Sequence, residues 1–111
     1  MDVYFSTNKL QRLCSSEKDG ERALGTQRAR KLRQRLAELQ AAANLNDISR
    51  LPPARCHELI GDRACQLSVD LQHPYRLLFI PANDPVPRKA DGGLDWSGVT
   101  EVEIIDIDDT H

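Results

Sequence analysis

The spacing of apolar residues changes once along this 111-residue chain, from three- and four-residue steps to alternation. A short β-prone run, DVYF, comes first. Ser6 or Thr7 can cap a following helix on which Leu10, Leu13 and Cys14 share a face. The polar stretch SSEKDGE contains Gly20 and is expected to break that helix. A second helix is predicted over about 21–43, where Ala29, Leu32, Leu36, Leu39 and Ala43 make one apolar stripe. Gly25 costs this helix about 1 kcal/mol relative to Ala, so its first turn is the weakest. Asn44 can cap its end, and Pro52-Pro53 cannot continue a helix.

Beyond residue 55 the pattern is that of strands. Residues 56–60 are strand-like and end at a Gly61-Asp62 turn. Over 65–71 the alternation is clean: Cys65, Leu67, Val69 and Leu71 face one way, Gln66, Ser68 and Asp70 the other. Gln72-His73-Pro74 makes a second tight connection, and residues 75–80 are apolar on both faces except at Arg76, which predicts a central strand. A long Pro- and Gly-rich loop follows, with Trp96 near its end as an anchor to the core. The last strand spans 99–107; its Ile104-Ile105 step breaks alternation and suggests a bulge or a strand covered on both sides. Helices followed by hairpin-linked strands indicate an α+β fold: an N-terminal strand and two helices packed on one face of a small antiparallel sheet.

The length suits one domain over residues 1–111 with a single core. Apolar residues make up 40% and charged ones 29%, a globular composition. No apolar run is long enough to span a bilayer, and the first residues lack the basic start and apolar centre of a signal peptide, so a cytoplasmic protein without a membrane partner is expected. Cys14, Cys56 and Cys65 show no CxxC spacing; free thiols, rather than a zinc site or a disulfide framework, are expected. The net charge of −2 hides a segregation: residues 1–90 hold all fifteen Lys and Arg with ten acids, whereas residues 91–111 hold seven acids and no Lys or Arg. The basic residues are densest on the second helix, where Arg28, Lys31 and Arg35 are candidate RNA contacts; a solvated helix face is the plainer reading.

Five pieces in order then resemble the RelE/ParE toxin superfamily of type II toxin–antitoxin modules, and within it the HigB-type "plasmid maintenance system killer" branch. They are ARKLRQRLAELQAAANLND, HELIGDR, SVDLQHPYRLLFIP, DGGLDW and the terminal TEVEIIDIDDTH, together covering most of the chain. The resemblance implies a sheet-and-helix-pair fold, ribosome-dependent cleavage of mRNA without a cofactor or metal, and neutralisation by a helix-turn-helix (HigA-like) antitoxin. ParE-type relatives act instead on DNA gyrase. That leaves a second reading: a binding module of the same fold, with weakened or absent nuclease activity, acting by protein–protein interaction.

Metal-free RNA cleavage needs a base at the 2′-OH, an acid at the leaving 5′-oxygen and cations on the phosphate. The resemblance assigns His57 an acid/base or phosphate-orienting role; a hydrogen-bonded strand histidine is the structural alternative. Arg63 is a phosphate contact or a surface turn arginine. A charge at Arg76 inside an apolar strand demands a partner, either a phosphate or a carboxylate such as Asp70 or a C-terminal acid. His73 reads as turn architecture. Relatives often end in Asp-Tyr-His; here Asp109 and His111 match and Thr110 replaces the aromatic, which removes a stacking surface. The acids around Asp106, Asp108 and Asp109 would repel phosphate unless Arg63 or Arg76 pairs with them.

Overall fold

Among the described residues three helices, not two, follow the first strand. A computed structural model describes residues 1–63 and 65–109; Thr110 and His111 lie outside the described residues. The chain runs β1 (Asp2–Phe5), α1 (Asn8–Ser15), α2 (Glu17–Leu24), α3 (Thr26–Ala41), β2 (His57–Glu58), β3 (Leu67–Asp70), β4 (Tyr75–Pro81) and β5 (Glu101–Asp109), with 3-10 turns at Leu45–Asp47, Gly61–Arg63 and Trp96–Gly98.

The polar stretch expected to break the first helix instead starts a new one. Ser16 Oγ accepts from Asp19 N at 3.2 Å, and Glu17 and Asp19 in the first turn favour the positive helix end. Gly20 is buried inside α2, where a Cβ would stand only 3.0 Å from the Leu13 carbonyl oxygen; its lack of a side chain lets α1 and α2 approach. The real break is at Gly25, with φ 83° and ψ 163°, a region essentially restricted to glycine. Asn44 does not end α3, for which Ala42 is the C-cap; its Oδ1 caps the Leu45–Asp47 turn. Of the predicted stripe, Ala29, Leu32, Leu36 and Leu39 are buried, while Ala43 is exposed beyond the helix end.

The five strands form one sheet in the order β1-β5-β4-β3-β2. The sheet is mixed, because β1 pairs with β5 in parallel while the other neighbours are antiparallel. The parallel pair is possible because the whole helical segment lies between β1 and the rest of the sheet. Leu67, Val69, Leu77, Phe79, Val102 and Ile104 point to the helical side and meet Leu32, Leu36 and Leu39 of α3 in one core. Between β4 and β5 the register passes from Leu78↔Asp106 to Phe79↔Ile104, which leaves Ile105 as the extra residue of a bulge at the predicted Ile-Ile step.

The other face is less open than alternation suggests. Ser68 is fully buried, Gln66 lies outside β3, and Cys65 is exposed with φ 73° instead of facing the core. Part of that face is crossed by Arg63 of the Gly61–Arg63 turn. Gln66 N donates to Arg63 O at the start of β3, yet Arg63 NH2 reaches Asp108, which is in register with Arg76 and, through it, with Asp70 at the end of β3. Arg63 therefore lies diagonally across the outer face. The long loop is also structured: Leu94 and Trp96 are buried, and Lys89 N donates to Gly93 O at 2.8 Å. No helix among the described residues is long and apolar enough to cross a membrane.

The helix break at Gly25 gives a test with a definite sign. In a continuous helix Gly25→Ala would stabilise the protein by about 1 kcal/mol. At this backbone conformation it is expected to destabilise it by about 1–3 kcal/mol, measured by urea denaturation.

Candidate functional site

The outer face of the sheet carries the charged side chains that alternation excludes from the core. β2 contributes two residues, and its neighbour Cys56 points into the core, fully buried, which turns His57 outward. Burial also raises the Cys56 thiol to about 12, so it is protonated at neutral pH and is no nucleophile. His57 sits opposite Ser68 on β3. The small Ser68 lets the imidazole approach Arg76, one strand further, with Nε2 3.5 Å from an Arg76 terminal nitrogen.

The tautomer of His57 follows from its other contact. Nδ1 lies 2.9 Å from the Arg55 carbonyl oxygen, which can only accept. Nδ1 therefore carries the proton, and in the neutral ring the Nε2 lone pair points to Arg76. This assignment rests on the hydrogen-bond network.

Arg76 has 9% of its surface exposed, and a guanidinium stays charged when buried, so it must be compensated. Its Nε is 3.3 Å from Asp70 Oδ1, the residue directly opposite on β3. Asp70 also stands 3.5 Å from an Arg55 terminal nitrogen through Oδ2, and its backbone carbonyl accepts from Arg35 Nε at 2.8 Å. Arg63 forms a 2.8 Å ion pair with Asp108, in register with Arg76. His57, Arg63 and Arg76 thus meet on one patch, and both arginines carry an aspartate. Of the two alternatives for Arg76, the carboxylate partner is the one present: it is ion-paired with Asp70, and it lies beside His57.

Other candidate residues are placed differently. Arg35 is 2% exposed and turned inward, bonded to Asp70 O and at 3.0 Å to Glu38 Oε1; it is not part of an exposed basic face. Its position beside Leu36 on the buried side of α3 is affordable only because those acceptors are there. Arg28 lies over the Tyr75 ring at 3.8 Å and donates to Leu24 O, whereas Lys31 is half-buried on α3. His73 is exposed in the β3–β4 connection. The backbone of Asp109 ends β5 opposite Tyr75; its side chain and His111 lie outside the described residues.

Arg55 was not singled out by the sequence, although it has φ 48° and supplies both the His57 acceptor and a second charge on Asp70. The surroundings of Trp96 were also not legible. The indole nitrogen donates to Glu58 Oε1 at 2.7 Å, and the Arg50 guanidinium covers the ring at 3.9 Å. Beside them a cleft of about 680 Å³ runs from His57 and Glu58 to Lys89 and Asp95.

The His57 assignment is checked by nitrogen-15 NMR above the imidazole titration. The ring is expected as the Nδ1–H tautomer, with Nε2 at the unprotonated shift.

No family model matches the chain, and no curated protein matches it in sequence. Among solved structures it is similar to a YoeB/ParE toxin from Agrobacterium tumefaciens, with 100% of both chains covered, a TM-score of 0.59 and 9% sequence identity. At that identity the likeness concerns the backbone: the chain has the fold of a YoeB/ParE toxin.

Proposed function

We propose that this protein is the toxin of a type II toxin–antitoxin module, of the HigB-type branch, and that it cleaves ribosome-bound mRNA. The observation that carries the reading is the His57–Arg76 contact at 3.5 Å, with Nδ1 tethered to a carbonyl and the unprotonated Nε2 beside the guanidinium. The likeness to a toxin fold supports the setting.

In this reading His57 Nε2 takes the proton of the RNA 2′-OH as that oxygen attacks the neighbouring phosphorus. The bond to the 5′-oxygen breaks, leaving a 2′,3′-cyclic phosphate and a 5′-hydroxyl. Arg76 and Arg63 bind the non-bridging oxygens, since guanidinium donors gain strength as negative charge develops there. His111 is proposed to protonate the leaving oxygen and Asp109 to orient a histidine. Arg28 and Lys31 on the basic helix are proposed to face ribosomal RNA, now without Arg35. The partners are a helix-turn-helix antitoxin, the ribosome and mRNA, and the location is the cytoplasm.

A specific observation favours a second reading. Asp70 and Asp108 already neutralise Arg76 and Arg63, so the site presents less positive charge than its arginines suggest. The protein would then be a binding module acting on a protein target of the gyrase type.

Primer extension on translating ribosomes separates the two. Wild type is expected to produce discrete cuts, and a His57→Ala, Arg76→Ala double variant to reduce them by at least about 10²-fold, the lower range for losing one acid–base group. Absence of wild-type cuts above the double variant sinks the nuclease reading. Growth arrest that persists in the double variant favours the binding module.

A further inference from the structure

We propose that the cleft between β2 and the 86–98 loop is a second nucleotide subsite, which takes the single-stranded RNA nucleotide adjoining the phosphate held at His57 and Arg76. The proposal rests on the nuclease reading for that phosphate, but the cleft itself is argued from its own residues.

Its volume of about 680 Å³ lies within the ~300–1,000 Å³ range of clefts that hold small ligands. It is continuous with the first site, because His57 lines it while its Nε2 faces Arg76. A strand leaving the first site thus has an immediate place to go.

The lining suits a nucleotide. The Arg50 guanidinium is stacked on Trp96 at 3.9 Å, and Arg50 has no carboxylate within ion-pair distance among the described residues. A guanidinium plane pinned on an indole leaves its other face as a platform for a base, a common element of single-stranded RNA recognition. Lys89 supplies the phosphate contact. Its side chain folds back over Gly93, with Nζ 3.5 Å and Cε 3.1 Å from where a Cβ would stand, so the glycine makes room for the ammonium at the cleft wall. Its ion pair with Asp91 is long, 3.9 Å, and solvent-exposed, and so weak.

The acids of the cleft each hold a protein donor with one oxygen. Glu58 Oε1 accepts from the Trp96 indole at 2.7 Å, and Asp95 Oδ1 accepts from Ser97 N and Ser97 Oγ at 3.1 and 2.6 Å. They fix the floor and the loop through one oxygen each and keep their charge, so Arg50 and Lys89 are the cationic groups that offset them and that a nucleotide would engage beside His57. The long loop thus becomes a wall that selects a nucleotide.

Trp96 is the only tryptophan of the chain, so its fluorescence and indole N–H resonance report on the cleft directly. The probe is a 2′-O-methyl trinucleotide, which has no free 2′-OH and cannot be cut. Wild type is expected to bind it with a change in the Trp96 signal. Arg50→Ala should weaken binding about 5- to 150-fold, the equivalent of ~1–3 kcal/mol for one stacked base. Lys89→Ala should lower the slope of log affinity against log salt by about 0.7, one phosphate contact on a single strand. Thermal melting separates loss of Arg50 packing from loss of binding, and Lys89→Ala keeps the test intact should Arg50→Ala unfold. A Trp96 signal unmoved at millimolar trinucleotide, or both variants binding as wild type, overturns the subsite. Binding at the cleft without wild-type cuts on ribosomes keeps the subsite and removes the nuclease; cuts without cleft binding do the reverse.

Discussion

A guanidinium in the middle of a sheet organises the outer face of this protein. Arg76 lies on the central strand β4 and is nine-tenths buried, and it cannot shed its charge. Leaving it without an anion would cost several kcal/mol, so a carboxylate must stand within reach. The antiparallel register puts Asp70 directly opposite, and Asp70 is itself braced by Arg55 and by Arg35 through its backbone. Arg55 in turn offers the carbonyl that fixes His57. The imidazole therefore owes its orientation to the same local frame that compensates the buried cation.

The acids of the last strand acquire a meaning in this frame. Asp108 holds Arg63, and through it the Gly61–Arg63 turn, to the last strand beside Arg76. Both arginines of the patch have their charge balanced by an aspartate. The aspartates thus lower the long-range attraction of the site while keeping its arginines aimed, a different balance from an exposed basic surface.

Sheet and core were largely readable from periodicity. The alternation at Leu67, Val69 and Leu71, the apolar β4 with its one arginine and the Ile-Ile bulge report which side of a strand meets the core, while Cys65 departs from the pattern. The helical half was less readable. Gly20 looked like a breaker, but it is buried where α1 and α2 touch; Gly25 looked tolerable inside a helix, but it separates α2 from α3. A glycine's identity says that a side chain is absent, and only the neighbouring backbone says whether space or a positive φ is the reason. Arg35 shows the same limit. Its side of α3 became inward because Asp70 O and Glu38 are there to receive it.

The sequence by itself determined the α+β class, the central strand and three of the candidate groups, His57, Arg63 and Arg76. Arg76 follows from local pattern, since a charge in an apolar strand demands a partner wherever the chain goes, whereas His57 and Arg63 were named through the family resemblance. Only the tertiary structure decided that Arg63 crosses the sheet to Asp108, that His57 carries its proton on Nδ1, and that Arg50, Trp96 and Glu58 frame a cleft beside it. Two of these join residues far apart in the chain: Arg63 and Asp108 are 45 positions apart, and Glu58 and Trp96 are 38. Periodicity fixes the direction in which a side chain points, while its partner is set by strand order and register across the whole sheet.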